Sequence, residues 1–413
     1  MARSRDAARE QPLEHRILLT ATLCLLAAGA VMVYSASSAR TLLEGQGDGT
    51  AYLVKYLGWG TLGLIVMQVV SRVDLRVIRD LTSVALAIAF VLLLLVKLPG
   101  IGVEVNGARR WIGAGPLQFQ PSELAKLALV LYAVRLLTDR PRMVLTLKGI
   151  FNPLLLVAGV VCLLIASQPD LGTALVIGFT MCALLVAAGM PIRLLGKCVA
   201  VAVVLIGIFA LLEPYRRDRL TSFLDPWAHA DSIGFQAVQG QIAMGSGGLF
   251  GRGLGESVQK IFFLPEAHTD FILAVIGEEL GLAGVSALLC LYGMIGYAGL
   301  RTARNAKGAY AKLLAGGLTS LILCQALLNV YAVLGLAPLT GVPLPFISSG
   351  STSLVVLLCS MGLLLNIAGG GSAHLRAMEG GRERGGRASH PDRGGRNGRP
   401  RGSGDRGRRR AAG

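Results

Sequence analysis

Charge is what this sequence has least of: Asp, Glu, Lys and Arg make up 15% of its 413 residues, against about 25% in an ordinary soluble domain. Acid is scarcer than base, 24 Asp and Glu against 40 Lys and Arg, so the net charge is +16. So few charges over so long a chain exclude an ordinary soluble enzyme, and a hydrophobic share of 53% excludes a disordered one. The seven cysteines sit inside or at the ends of apolar runs, with no CxxC pair and no Cys/His cluster. That excludes a disulfide framework and a zinc site, and leaves them as small core residues. The solvent that accepts this much apolar surface is a lipid bilayer.

Basicity in a soluble protein would suggest nucleic acid, but here half of it lies in one place. The segment from Gly371 to Gly413 carries twelve Arg, no Lys and four acidic residues, a surplus of eight positive charges. Rich in Gly, Pro and Arg, it cannot bury a core, so residues 370–413 are predicted to form a disordered tail beside anionic headgroups. No aromatic residue interleaves its arginines for base stacking, and no nucleic-acid partner is expected.

Apolar stretches near 17–38, 53–70, 81–98, 123–137, 150–167, 171–190, 198–212, 270–299, 313–336 and 353–369 each approach the length of a membrane crossing. They predict an all-α, polytopic membrane protein of about ten transmembrane helices. Residues 1–16 form a cytoplasmic lead, 17–369 the membrane domain and 370–413 the tail. The first run follows Arg3, Arg5, Arg9 and Arg16 as a signal peptide would. It is long for one and further spans follow, so it is expected to stay as an anchor. The basic connections (the N-terminus, Arg72/Arg76/Arg79, Arg140/Arg142/Lys148, Arg193/Lys197, Arg301/Arg304/Lys307/Lys312 and the tail) all fall on one side when the number of spans is even. The positive-inside rule makes that side the cytoplasm, with both termini in it.

The exceptions carry chemistry. Arg109 and Arg110, then Arg216, Arg217 and Arg219, then Arg252 and Lys260 fall on the outer side. Fixed positive charge there suits an anionic ligand, since guanidinium pairs with phosphate oxygens; headgroup contacts or internal salt bridges are the alternative. Three outer segments stand out. Asn106-Gly107-Ala108-Arg109-Arg110-Trp111 runs on to Gln120-Pro121-Ser122-Glu123 and Lys126, where Ser122 has the character of a helix N-cap and Glu123 and Lys126 share a helix face. Gln168-Pro169-Asp170-Leu171-Gly172-Thr173 joins two apolar runs, and Asp170 or Thr173 can cap the outgoing helix. The third is one long extracytoplasmic loop before the eighth helix, from Glu213 to Thr269. Its glycine-rich part, Gly245 to Gly255, would let backbone approach a ligand closely, but it lacks the spacing of a phosphate-binding loop.

This third segment ends at Glu266, His268 and Asp270, and the helix that follows carries Glu278-Glu279. At the mouth of a membrane helix, desolvation and nearby cations pull a carboxyl in opposite directions, and a group so balanced can act as a general base. Capping the helix is the plainer role for Asp270, and His268 reads as a hydrogen-bonded loop residue. Glu278 and Glu279 diverge by about 100° around a helix and are no obvious carboxylate pair.

Four stretches, NGARRWI…FQPSELAKL (106–127), QPDLGTA (168–174), GSGGLFGRGLG…LPEAHTDFI (245–272) and PLTGVPLPFISSG (338–350), resemble the SEDS family of polytopic membrane proteins, FtsW, RodA and SpoVE. The LPEAHTD and IGEELG stretches are most similar to the FtsW, cell-division, branch. The family's usual FISYGGSS is replaced by Phe346-Ile347-Ser348-Ser349-Gly350-Ser351-Thr352-Ser353. The resemblance implies a peptidoglycan glycosyltransferase that polymerises lipid II at the outer face of the bacterial cytoplasmic membrane, at the division septum, beside a class B penicillin-binding transpeptidase and other divisome proteins. The alternatives are an elongation- or sporulation-type polymerase of the same family, a lipid II flippase, or a scaffold that only recruits the transpeptidase. Against the flippase, the sequence shows no pair of interrupted helices in corresponding halves.

On this reading the transfer inverts the anomeric carbon. Asp270 is the expected base toward the acceptor hydroxyl, and Arg109, Arg110, Arg216 and Lys260 face the leaving pyrophosphate. Trp111, Glu123, Lys126, Glu266, His268 and Ser348 complete the expected substrate contacts. A carboxylate beside a pyrophosphate could also hold Mg2+ or Mn2+, although no dedicated metal cage is visible.

Overall fold

A computed structural model describes residues 12–43, 49–105, 107–114, 117–211, 217, 221–261, 263–264 and 267–370. Contacts divide the chain after Ser372. The second unit, which holds most of the Arg-rich tail, lies outside the described residues, as do residues 1–11 of the lead.

The first unit is mostly helical. It runs α1 (Leu13–Leu43), α2 (Ala51–Val70), α3 (Leu75–Leu95), β1 (Gly102–Val105), β2 (Ala108–Ala114), β3 (Leu117–Phe119), α4 (Pro121–Asp139), α5 (Leu147–Ala166), α6 (Leu171–Ala187), α7 (Ile192–Leu211), α8 (Phe235–Ser246), α9 (Ile272–Asn305), α10 (Ala309–Val333) and α11 (Ser351–Ala368). Among the described residues, α1, α2, α3, α5, α9, α10 and α11 are long and apolar enough to cross a membrane. Helices α4, α6 and α7 fall where the sequence placed the fourth, sixth and seventh crossings. Helix α4 carries Glu123, Lys126, Arg135 and Asp139, and α6 has only 17 residues.

Burial sorts the helices. The apolar window of α11 is 83% buried and that of α10 72%, whereas α2 and α3 bury 22% and 17%. Helices α10 and α11 are therefore the protein core, and the exposed Leu, Val and Ile side chains of α2 and α3 form the face that lipid must cover. Helix α11 packs on α2, α9 on both α1 and α10, and α10 on α6 and α4.

Local chemistry sets the ends. Asp74 caps α3, its side chain accepting from the Arg76 amide at 2.9 Å. Helix α5 passes through one π-helical turn at Phe151–Leu155, where Pro153 supplies no amide. Pro121 opens α4, a position where its missing N–H costs nothing.

The all-α expectation needs correction between α3 and α4. There the NGARRWI segment builds an antiparallel three-stranded sheet in the order β1-β2-β3, with Val103 opposite Trp111 and Ile112 opposite Phe119. The turn signals were legible, but strands of three to seven residues are too short to show alternation.

Candidate functional site

Helix α9 is broken near its start. Gly281 adopts φ 67° and ψ −162°, a backbone state suited to glycine, so the helical hydrogen bonds stop there. The glycine-rich loop replaces them. The Glu278 and Glu279 carbonyls accept from the amides of Arg252 and Gly253 at 3.0 Å each. Beyond the break, the Leu282 and Ala283 amides donate to the Gly248 and Leu249 carbonyls at 2.9 and 3.0 Å. A Cβ on Gly281 would lie 2.3 Å from the Gly251 nitrogen, and one on Gly251 would lie 2.1 Å from the Glu279 oxygen. The glycines expected to approach a ligand approach a helix backbone instead. Backbone freed by a break at membrane depth must find such partners.

The two adjacent glutamates then anchor the strap that follows. The buried Glu278 carboxylate accepts from Ser257 Oγ (2.6 Å), the Val258 amide (3.1 Å) and Arg252 Nη1 (3.3 Å). Glu279, equally buried, accepts from Ser35 Oγ of α1 at 2.7 Å and pairs with Lys260 Nζ at 2.6 Å. Lys260 also donates to the Gly255 carbonyl at 2.7 Å and is itself buried. Its ammonium therefore faces carboxylate and carbonyl oxygens inside the protein.

Past the strap the chain reaches His268, Thr269 and Asp270. Phe271, not Asp270, is the N-cap residue of α9, and no side chain caps that end, so the plainer role for Asp270 is not the observed one. Thr269 Oγ1 donates to Asp270 Oδ1 at 3.0 Å. The loop between α10 and α11 clasps this turn: Ser348 Oγ donates to the Thr269 carbonyl, and the Ser349 amide and hydroxyl both donate to the His268 carbonyl, at 3.1 and 3.0 Å. His268 packs against Tyr52 of α2 with ring centroids 4.2 Å apart and ring planes tilted by 54°. The clasp is itself fixed, because Tyr56 donates to the Phe346 carbonyl and Tyr292 to the Pro345 carbonyl at 2.6 Å. Phe346 sits at φ +66°, a strained state for a bulky side chain that these bonds hold in place.

Glu123 and Lys126 form a buried ion pair at 2.8 Å, 2% and 1% exposed. Lys126 Nζ also donates to Gln325 Oε1 at 2.8 Å, and Gln325 Nε2 to the Pro343 carbonyl at 2.9 Å. One turn further along α10, Asn329 Nδ2 donates to the carbonyls of Asp270 and Val342, each at 2.8 Å. A polar line thus runs from α4 through α10 to Asp270. Ser122 does not cap α4, whose N-cap residue is Gln120. Its hydroxyl donates to Asp170 Oδ2 at 3.1 Å, as does Gln120 Nε2, while Asp170 Oδ1 caps α6 through the Thr173 amide.

The arginines divide. Arg110 reaches from β2 to the carbonyls of Gln168 (2.9 Å) and Pro169, fastening the sheet to the turn before α6. Arg109 is exposed and pairs with Glu104 at 3.1 Å. Trp111 is half-buried beside them. Arg216 and Glu266 lie outside the described residues. Asp270, His268 and Ser348 are therefore brought together, Glu123 and Lys126 reach them through α10, and Lys260 is committed to Glu279. Among the described residues no three His, Cys, Asp or Glu side chains gather as a metal centre. Sequence reasoning missed Ser35, Gln325 and Asn329. The last two carried a signal, two amides four residues apart in the apolar second half of α10.

The family model for the cell cycle proteins FtsW, RodA and SpoVE matches residues 16–371. Among curated proteins, the chain is 40% identical over 352 residues to the "Probable peptidoglycan glycosyltransferase FtsW" of Geobacter sulfurreducens, covering 85% of this chain and 94% of that one. It is 42% identical over 359 residues to the protein of the same description in Coxiella burnetii, covering 85% and 95%. Among solved structures it resembles a chain from work described as "Structural coordination of polymerization and crosslinking by a peptidoglycan synthase complex", with a TM-score of 0.69, 30% identity and coverage of 85% and 96%.

Proposed function

Because this chain belongs to the FtsW, RodA and SpoVE family of cell cycle proteins, we propose that it polymerises lipid II into glycan strands during septal cell-wall synthesis, with Asp270 as the base. It is a peptidoglycan glycosyltransferase and a multi-pass membrane protein. On this proposal ten helices cross the cytoplasmic membrane, both termini face the cytoplasm, and the Asp270 end of the bundle opens outward. A transpeptidase shares the complex, as the solved synthase complex suggests by its coupling of polymerisation to crosslinking.

The single observation that carries the catalytic assignment is the convergence at Asp270. The α10–α11 loop and the α4–α10 polar line both end on residues 268–270. In the proposed step the acceptor sugar hydroxyl gives its proton to the Asp270 carboxylate as its oxygen attacks the anomeric carbon of the donor. The bond to undecaprenyl pyrophosphate breaks on the opposite face. Arg109, which is exposed, and Arg110 meet the departing charge. Lys260 acts from further back, by fixing the strap.

The test is lipid II polymerisation by the purified protein with its transpeptidase partner, comparing wild type with Asp270→Asn. General-base assistance contributes about 10²–10⁴-fold, so the variant should lose that much while folding and binding its partner normally. Chains of undiminished yield from Asp270→Asn would remove Asp270 as the base.

A further inference from the structure

Among the described residues, two buried polar atoms beside Asp270 find no hydrogen-bond partner: Asn329 Oδ1 and Thr340 Oγ1. Their residues are 2% and 8% exposed. Such orphans are rare in folded proteins and call for an explanation. Both residues line the same small cavity, together with Asp270, Phe271, Gly341 and Val342, and its free volume of about 10 Å3 admits one oxygen-sized group.

The chemistry of that group follows from the bonds around it. The Asn329 amide cannot be turned over, because both carbonyls it faces, those of Asp270 and Val342, require its nitrogen. Its oxygen is left as an acceptor only, so the missing partner must donate a proton. Thr340 can donate or accept. An acceptor beside a hydroxyl is the complement of a sugar hydroxyl, which donates to the first and bonds the second. The Asp270 carboxylate borders the same space, since a Cβ on Gly341 would lie 3.7 Å from Asp270 Oδ2. Thr340 is held by close packing, as a Cβ on Gly172 would meet the Thr340 carbonyl oxygen at 2.5 Å and its Cβ at 2.8 Å. A larger cavity of about 240 Å3 shares the walls Ala332 and Leu339, and Gln236, Gln241 and Phe223 supply it with amides and an aromatic ring.

We propose that Asn329 and Thr340 form a hydroxyl-binding subsite that seats one hydroxyl of the acceptor saccharide beside Asp270, with the sugar ring in the adjoining cavity. The subsite sets the register of the acceptor, so that the neighbouring hydroxyl is the one presented to the base. It deepens the glycosyltransferase reading and rests on it.

The test uses the full-length protein with its transpeptidase partner, lipid II, and acceptor analogues that each lack one sugar hydroxyl. Loss of one hydrogen bond weakens recognition about threefold to tenfold. Thr340→Val should raise KM by that factor with an unchanged melting temperature, and Thr340→Ser should restore it. One analogue should lose more than that factor on wild type and less on Thr340→Val, where only the bond to Asn329 remains to be lost. A KM for Thr340→Val within twofold of wild type, or analogues that lose equally on both proteins, would overturn the subsite and leave the cavity to a water molecule. Should Thr340→Val not fold, the analogues on wild type and Thr340→Ser decide: a uniform response to every deletion overturns the proposal. Wild type that makes no chains at all would instead refute the glycosyltransferase reading, and the subsite with it.

Discussion

The Lys260–Glu279 pair should be indispensable as long as either partner remains, and dispensable when both go. At 2.6 Å and an effective dielectric of about 20, their attraction is about 6 kcal/mol. Withdrawing an ammonium and a carboxylate from water costs several kcal/mol each, so the intact pair contributes little net stability. Removing one partner is different. In Lys260→Met, Glu279 keeps its full burial and only the Ser35 hydroxyl among its side-chain partners, and an uncompensated buried charge costs about 3–5 kcal/mol. Glu279→Leu leaves the buried Lys260 ammonium with only the Gly255 carbonyl and the Ser35 hydroxyl, no counter-charge, and should cost a similar amount. The double variant Lys260→Met/Glu279→Leu removes both charges, and its loss should be smaller than either single loss, with Ser35 free to bond back into its own helix. Denaturant unfolding in detergent micelles, followed by the fluorescence of the three tryptophans, gives the four free energies of the cycle. Single losses below about 1 kcal/mol, or a double loss equal to the sum of the singles, would refute the reasoning.

Two further outcomes follow from the same framework. Gly281→Ala forces a side chain into a glycine conformation and against the Gly251 nitrogen, so it should cost at least about 1–3 kcal/mol and abolish polymerisation; a melting temperature equal to wild type would show that the loop crossing is not needed. Arg110→Lys replaces a fork on two carbonyls by a point charge, so thermal unfolding should show a loss of about 1 kcal/mol, and unaltered stability would deny the clamp on the turn before α6.

Apolar length made the seven long apolar helices legible, because backbone in lipid has no partner outside its own helix and a crossing must be a continuous apolar run. Asp170 as a cap was legible for the same local reason: a short acceptor side chain just before an apolar run. What could not be read was long-range. Ser122 has the character of a cap and serves instead as a donor to Asp170, 48 residues away. The glycines of 245–255 announced a close approach without naming the partner, which is the backbone of α9. Lys260 and Arg110 were visible as cations expected on the outer side. Only the fold shows one buried against Glu279 and the other fastening the sheet. The composition of α10 already held Gln325 and Asn329, and amides in an apolar helix warrant the attention usually given to charges.

The break in α9 also decides how deep the acid lies. A straight helix would carry Ile272 about 50 Å from Asn305, at 1.5 Å for each of the intervening residues. Asn329, which bonds the Asp270 carbonyl, stands only about 30 Å along α10 from Ala309. The ends of the two helices at Asn305 and Ala309 are joined by only three residues and so start close together. The difference is absorbed where the helix breaks, so residues 272–279 fold inward across the bundle, and every one of them is buried. The first two turns of the long helix are thus wholly buried and set Asp270 against Asn329, one turn inside the end of α10. On the proposed function, a lipid-borne sugar must therefore enter the protein to meet its base, while its prenyl chain stays outside among the helices' apolar faces.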